Sequence, residues 1–96
     1  MRPSLALKNR RESVRQIALR RYVKQVRVLG SVLHGDDTEE SDLNLLVEPT
    51  PATTLMDIGA IRYELRQLLG IPVDVLTPNA LPDSCREQIL SEAALV

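Results

Sequence analysis

Hydrophobic residues recur at helical spacing near the start of the chain. The apolar positions of one helix face are Leu7, Val14, Ile17 and Ala18, and most intervening residues are polar or basic. Ser4 is placed to cap this helix, and the pattern continues to about Tyr22. The chain is therefore predicted to begin with an amphipathic helix.

Two segments rich in β-branched or leucine residues follow. Residues 25–30, QVRVLG, alternate valine with polar residues and stop at Gly30, which is typical of a strand entering a turn. Residues 42–49, DLNLLVEP, form a second predicted strand, which Pro49 and Pro51 terminate. Between them lies a polar loop, with room for a short helical turn after Ser31. We expect the two strands to pair.

A second long helix and a third strand are indicated farther along. Thr53 or Thr54 caps the helix, Asp57 stands at capping-box spacing from Thr54, and Gly70 ends it. Residues 71–78, IPVDVLTP, predict a short apolar strand, and residues 82–96 have the spacing of a helix that covers one face of the sheet. This order predicts an α+β fold, a small mixed sheet with helices packed on it, as a single domain over residues 1–96.

Composition narrows the class of protein. With 44% hydrophobic and 26% charged residues, the chain resembles a globular rather than a disordered protein. It has no Phe or Trp, which argues against aromatic platforms for single-stranded nucleic acid. Cys85 is alone, so an internal disulfide and a cysteine metal site are excluded. No run of 18 apolar residues occurs, and we expect a cytoplasmic protein without a membrane span.

Charge is distributed unevenly along the chain. The net charge is −1, yet the first 27 residues hold nine Lys or Arg residues against one acid, Glu12. Such a segment is expected to contact RNA, nucleotide phosphates or an acidic protein. The plainer interpretation is a solvated helix face, and the sequence leaves both open.

Two oxygen-bearing side chains share one face of the second strand. Because side chains alternate across a strand, Asp42 and Asn44 point one way while Leu43 and Leu45 point the other. The third predicted strand can set Asp74 beside them. Three oxygen ligands at the edge of a sheet suit Mg²⁺, with substrate phosphates in the remaining coordination positions.

The turn before this strand has features of a phosphate-binding loop. Gly30 lets the backbone approach a ligand closely, and Ser31 offers a hydroxyl and an N–H. Ten residues, from Val32 to Ser41, separate this pair from Asp42. In this combination the sequence resembles the minimal nucleotidyltransferases of the DNA polymerase β superfamily, whose pattern is Gly-Ser, ten residues, Asp-x-Asp.

The resemblance covers essentially the whole chain and implies roles for further residues. Gly35 and Ser41 look like spacer residues of the family's nucleotide-binding loop, and Asp74 resembles its third acid. The family implies a palm-like nucleotidyltransferase fold and transfer of AMP from ATP through two Mg²⁺ ions, held here by Asp42, Asn44 and Asp74. It includes antitoxins that modify HEPN-domain toxins, which implies a small helical protein partner and a homo- or hetero-oligomer.

Asn44 departs from the pattern, because the family has its second acid there. Asparagine has nearly the shape of aspartate but is neutral, so we expect weaker metal binding and a large loss of rate. Three explanations are open: a deliberate Asp-to-Asn change, a natural member that has lost transfer and persists as a binding partner, or a slow enzyme with one cation. A non-catalytic module that neutralises its partner by complex formation is the alternative function, and RNA binding through the first helix is a weaker one.

Other polar residues have plain interpretations. His34 is expected to be a solvent-exposed loop histidine, with a phosphate contact as the less favoured alternative. The acidic run lacks calcium-loop spacing and is interpreted as a solvated loop: Asp36, Asp37, Glu39 and Glu40. Arg62 and Arg66 lie one turn apart on a helix and are expected to decorate its surface rather than bind triphosphate.

Overall fold

Four α-helices and four short strands make up the fold, which a computed structural model describes over residues 1–96. The helices are α1 (Pro3–Leu19), α2 (Gly30–His34), α3 (Leu55–Leu69) and α4 (Arg86–Glu92). The strands are β1 (Val23–Leu29), β2 (Leu43–Pro49), β3 (Val73–Leu76) and β4 (Ala94–Leu95). A 3₁₀ turn at Pro78–Ala80 follows β3. The predicted α+β class is confirmed.

The strands form one mixed sheet in the order β3-β2-β1-β4. β1 and β2 pair, as predicted, and they are antiparallel. β3 joins the other edge of β2 in parallel. The sequence did not predict β4, which pairs with β1 through only two residues, Ala94 and Leu95. A two-residue strand has no alternation to detect, so sequence periodicity cannot reveal it.

Apolar side chains fill both faces of the sheet. The larger cluster lies under α1 and α3 and includes the predicted helix positions Leu7, Val14, Ala18, Ile61 and Leu65 together with Leu43, Leu45, Val73 and Val75. A smaller cluster of Leu29, Leu46 and Leu81 lies on the opposite face, under α4. Because α1 and α3 occupy only one face, the other face is left partly open around α4.

Helix α3 begins and ends as the sequence predicts. The Thr54 hydroxyl accepts a hydrogen bond from the Asp57 N–H at 3.2 Å, and the Asp57 carboxylate accepts one from the Thr54 N–H at 2.9 Å. This capping box satisfies two backbone donors that a helix start leaves unpaired. At the other end Gly70 adopts φ 66°, a left-handed conformation that stops the helix.

The predicted ends of α1 were wrong. The helix starts at Pro3, with no side-chain cap from its own N-terminal residues, and it stops at Leu19 rather than near Tyr22. Ser4 does not cap it; instead the Ser4 N–H donates to the Asp37 carboxylate at 2.8 Å. Proline suits the first helical position because it has no N–H to satisfy, so the start shifts there.

The acidic loop is therefore not uniformly solvated, which corrects a second expectation. Asp36, Glu39 and Glu40 are exposed, but Asp37 is 4% exposed and also pairs with Arg2 at 3.1 Å. The hydrogen bond from the Ser4 backbone lowers the pKa of the Asp37 carboxyl, against the opposing effect of burial. Asp37 thus ties this loop to the start of α1.

The chain end covers one face of the sheet, as predicted, but its helix spans only Arg86–Glu92 rather than the whole of residues 82–96. Ile89, Leu90 and Ala93 of the α4 region contact the smaller cluster. None of the four helices combines the length and the apolar character that crossing a bilayer requires.

Candidate functional site

Three predicted site residues lie at the junction of β2 and β3. Asn44 is the parallel-register partner of Asp74, so their Cα atoms sit on neighbouring strands, which run about 4.8 Å apart. Leu43, Leu45, Val73 and Val75 point into the larger core, so strand alternation turns Asn44 and Asp74 to the opposite face. Asp42 precedes β2 and is exposed, two residues before Asn44. The backbone thus brings Asp42, Asn44 and Asp74 to one part of the sheet, and we call these three positions the rim.

Gly30 lies directly against this rim. It adopts φ 70°, and a Cβ built on it would stand 3.2 Å from Nδ2 of Asn44. The antiparallel pairing explains the approach, because Leu29, the residue before it, is the register partner of Asn44. Only glycine combines this left-handed backbone with so close a neighbour without strain.

The structure places the other loop residues as follows. Ser31 is half-buried in α2, the short helix that the sequence allowed after the strand. Gly35 adopts φ 76° and ends α2. The Ser41 hydroxyl accepts a hydrogen bond from the Thr38 N–H at 2.9 Å, which closes the turn before Asp42. Ser41 therefore shapes the loop here, and its predicted contact with nucleotide stays a prediction.

Neither predicted carboxylate is neutralised by a basic side chain. Asp42 and Asp74 form no ion pair, and the Asp74 Oδ1 accepts a hydrogen bond only from the Val75 N–H at 3.1 Å. Arg66 is the last arginine before β3 in the sequence, and its Nε donates to the Val73 carbonyl at 2.9 Å rather than to Asp74. Two free carboxylates and one amide oxygen form a donor set that fits Mg²⁺, a cation that prefers oxygen ligands.

The same donor set falls short of three acids. No group of three or more His, Cys, Asp or Glu residues is arranged to hold a metal ion. With asparagine at position 44, only two of the three predicted ligand positions, Asp42 and Asp74, carry a carboxylate. The residues present therefore fit one cation better than two closely spaced ones.

An open cleft of about 280 Å³ adjoins Asn44 on this face of the sheet. Its lining comprises Leu29, Gly30, Leu33, His34, Asn44, Leu76, Leu81, Ile89 and Glu92. Asp42 and Asp74 are not part of the lining, so the cleft extends from the amide toward α4 rather than over the carboxylates. Its volume lies near the lower end of the range for small-molecule sites, and its walls are mostly apolar.

Sequence reasoning missed the contribution of the chain end to this cleft. The Nε2 atom of His34 lies 3.7 Å from Oε2 of Glu92, so α2 and α4 meet at its mouth. His34 is solvent-exposed, as expected, but it lies on α2 rather than in a loop. One signal was available: Glu92 lies within residues 82–96, the segment whose spacing predicts a helix on the sheet.

Arg62 and Arg66 lie away from the cleft, as expected. Both belong to α3, which covers the face of the sheet opposite to Asn44. A triphosphate beside Asn44 would therefore be separated from them by the sheet.

Two solved structures share this architecture. One, described as "Structure of putative minimal nucleotidyltransferase", superposes with a TM-score of 0.87 at 39% identity, over 97% of this chain and 95% of that one. Another, "Crystal structure of the toxin-antitoxin with AMP-PNP", has a TM-score of 0.69 over 83% of this chain and 66% of that one. At 13% identity, the second likeness concerns the fold alone.

Sequence relatives point the same way. The chain is 38% identical over 77 residues to "Putative protein adenylyltransferase MJ0435" of Methanocaldococcus jannaschii, covering 80% of this chain and 83% of that protein. It is 28% identical over 74 residues to the protein adenylyltransferase MntA of Thermococcus cleftensis, covering 77% and 75%. The model of the nucleotidyltransferase domain family matches residues 7–96. The rim, the glycine turn and these likenesses lead to one conclusion, that the chain belongs to the nucleotidyltransferase domain family.

Proposed function

We propose that this protein transfers AMP from ATP to a protein partner, at a rate that Asn44 reduces. The observation that carries the proposal is the rim itself: Asp74 is the register partner of Asn44, Gly30 lies against Asn44, and neither Asp42 nor Asp74 forms an ion pair. Support comes from relatives named as protein adenylyltransferases. A cytoplasmic location remains part of the proposal.

Each residue of the site has a distinct role in this proposal. Gly30 allows the backbone to approach the phosphates, and Ser31 donates hydrogen bonds to them through its N–H and hydroxyl. Asp42 and Asp74 hold Mg²⁺, with Asn44 contributing its amide oxygen. When bound, the cation neutralises phosphate charge and stabilises the leaving pyrophosphate. The apolar cleft beside Asn44 then accommodates the nucleoside or the acceptor side chain.

The effect of Asn44 can be bounded by electrostatics. One unit charge 4 Å from another is worth about 1 kcal/mol in water and about 4 kcal/mol at the effective dielectric constant near a protein surface. The rim is exposed on the Asp42 side, so the smaller value applies best there. Restoring the missing carboxylate should therefore tighten cation-dependent nucleotide binding by at least about fivefold.

Isothermal titration with a non-hydrolysable ATP analogue and Mg²⁺ tests this directly. We compare the chain with Asn44→Asp, which adds the charge, and with Asp42→Asn, which removes another at the same rim. The proposal expects Asn44→Asp to bind more tightly and Asp42→Asn more weakly, both only when Mg²⁺ is present. Equal affinities for all three proteins, or affinity independent of Mg²⁺, would refute it.

Transfer itself requires an acceptor. We propose a small helical HEPN-type toxin as that partner, because the resemblance implies it and a structure of the same fold comes from a toxin-antitoxin pair. Co-expression with an adjacent gene encoding such a protein, followed by mass spectrometry, would detect one added AMP. The mark should be faint with the chain as it is and strong with Asn44→Asp.

Asn44 also favours a second candidate function, a binding module that silences its partner by forming a complex. Such a module does not need a carboxylate at position 44, whereas an efficient transferase does. If Asn44→Asp yields neither tighter nucleotide binding nor transfer, while the partner stays inhibited by the unmodified chain, the binding module is correct.

A further inference from the structure

The outer face of α3 carries apolar side chains that the fold does not use. Leu55, Met56 and Tyr63 are 89%, 85% and 65% exposed. Met56 and Tyr63 are seven residues apart, hence on one stripe of the helix, and Gly59 lies between them. Single exposed apolar residues are ordinary, but three contiguous ones on one helix form a patch suited to another surface. We call these four residues the α3 stripe.

Positive charge flanks the α3 stripe along one edge. Arg62 and Arg66 are both exposed and neither forms an ion pair. The Arg66 Nε donates to the Val73 carbonyl, which fixes this edge beside β3. A surface that complements the stripe must therefore be apolar at its centre and acidic along one side.

The acids of α3 are turned away from the stripe. Asp57 and Glu64 lie 4.0 Å and 3.6 Å from Arg21, at the end of α1, so they face the α1 side. A second copy of the chain packed by twofold symmetry would present the same stripe, and no free carboxylate would meet Arg62 or Arg66. Charge complementarity thus favours a different protein over a homodimer.

From this arrangement we infer that the α3 stripe docks a second protein through a helix with an apolar face edged by carboxylates. The stripe lies on the opposite face of the sheet from Gly30, Asn44 and the cleft. A partner held there leaves the rim open to nucleotide. The inference goes beyond the proposed transfer and does not depend on it.

A pair of synthetic helical peptides provides the test. Both carry leucines along one face; one has glutamates at the edges and the other has lysines in their place. Titration into ¹⁵N-labelled protein should shift the backbone amides of the α3 stripe with the glutamate peptide, and the lysine peptide should bind about tenfold more weakly or worse.

Variants make the test specific. Arg62→Glu, which leaves the Arg66 hydrogen bond to the Val73 carbonyl in place, should remove the preference for the glutamate peptide, and Met56→Ser with Tyr63→Ser should abolish binding of that peptide. All these side chains are exposed, so circular dichroism should show an unchanged fold. Binding of the ATP analogue should also be unchanged, which separates this inference from the proposed transfer.

Five outcomes would overturn the inference, four of them in the peptide and sedimentation experiments. Those four are equal binding of both peptides, no binding of either, shifts confined to other elements, and self-association in sedimentation that Met56→Ser removes. The last result would assign the stripe to a homodimer. Preferential binding of an RNA oligonucleotide, lost at high salt, would assign the basic side chains to nucleic acid instead.

Discussion

Alanine substitution of Gly30, Gly35 and Gly59 distinguishes the effect of backbone strain on stability from the effect of a contact with Asn44. Gly30 and Gly35 both adopt left-handed backbone, at φ 70° and 76°, but only Gly30 has a neighbour, the Asn44 amide at 3.2 Å. Gly59 lies within α3 with open space around it. Alanine at Gly30 therefore tests backbone strain together with a contact to Asn44. Alanine at Gly35 tests backbone strain alone, and alanine at Gly59 introduces neither.

The magnitudes follow from these geometries. A left-handed alanine costs about 1 to 2 kcal/mol, which for a domain of this size lowers Tm by roughly 4 to 16 °C. Gly30→Ala and Gly35→Ala should both show this loss, whereas Gly59→Ala should stabilise α3 by about 0.5 to 1 kcal/mol. In addition, Gly30→Ala must displace the Asn44 side chain by a few tenths of an ångström, because a Cβ contact of 3.2 Å is too short.

Thermal denaturation and NMR of the Asn44 side-chain amide measure the two effects separately. Tm should rank Gly59→Ala above the unmodified chain and both left-handed variants below it. The Asn44 amide signal should move in Gly30→Ala and stay in place in Gly35→Ala. The described contact between the turn and the rim is wrong if Gly30→Ala has the same Tm as the unmodified chain. It is also wrong if Gly35→Ala moves the Asn44 amide signal as far as Gly30→Ala does.

Three further predictions concern the scaffold. Asp37→Asn should lower Tm at neutral pH. Because folding lowers the pKa of the Asp37 carboxyl, its contribution to stability is present above the unfolded pKa of about 4 and is lost as pH falls through the folded pKa. The Tm values of Asp37→Asn and of the unmodified chain should therefore converge in acid. Thr54→Ala should cost about 1 kcal/mol in urea denaturation through loss of the α3 cap, and Ser84→Ala, at an exposed position outside α3, serves as the control. Ile61→Ala, at a fully buried position, should cost about 2 to 5 kcal/mol, whereas Leu55→Ala should change stability by less than about 0.5 kcal/mol.

Sequence patterns predicted most of the fold because its central elements obey local rules. The Thr54 capping box, Gly70 and the apolar spacing of α3 agree with one another, so α3 was placed correctly at both ends. The pairing of β1 and β2 also followed from their alternation and the polar connection between them. Each of these signals is contained in a short window of sequence.

What sequence could not predict depends on residues distant in the chain. The cap of α1 comes from Asp37, 33 residues after the Ser4 N–H that it accepts, so a local cap at Ser4 was the wrong expectation. The proximity of Glu92 to His34 and the pairing of β4 with β1 arise only once the chain end folds back. At the rim, sequence predicted the shared face of Asp42 and Asn44, but the register with Asp74 required the strand order.

The contact at Asp37 has a consequence for the rim. The connection from Gly35 to Asp42 is fixed at three points: the left-handed Gly35, the buried Asp37 bound to α1, and Ser41 bonded to Thr38. These points draw on α2, α1 and the loop itself, so the position of Asp42 is set by more than the strand that follows it. A carboxylate that must meet a cation beside Asn44 benefits from such support, because a misplacement of about 1 Å in a catalytic group can cost about a hundredfold in rate. The start of α1, remote in sequence from every proposed ligand, is thereby part of what positions the site.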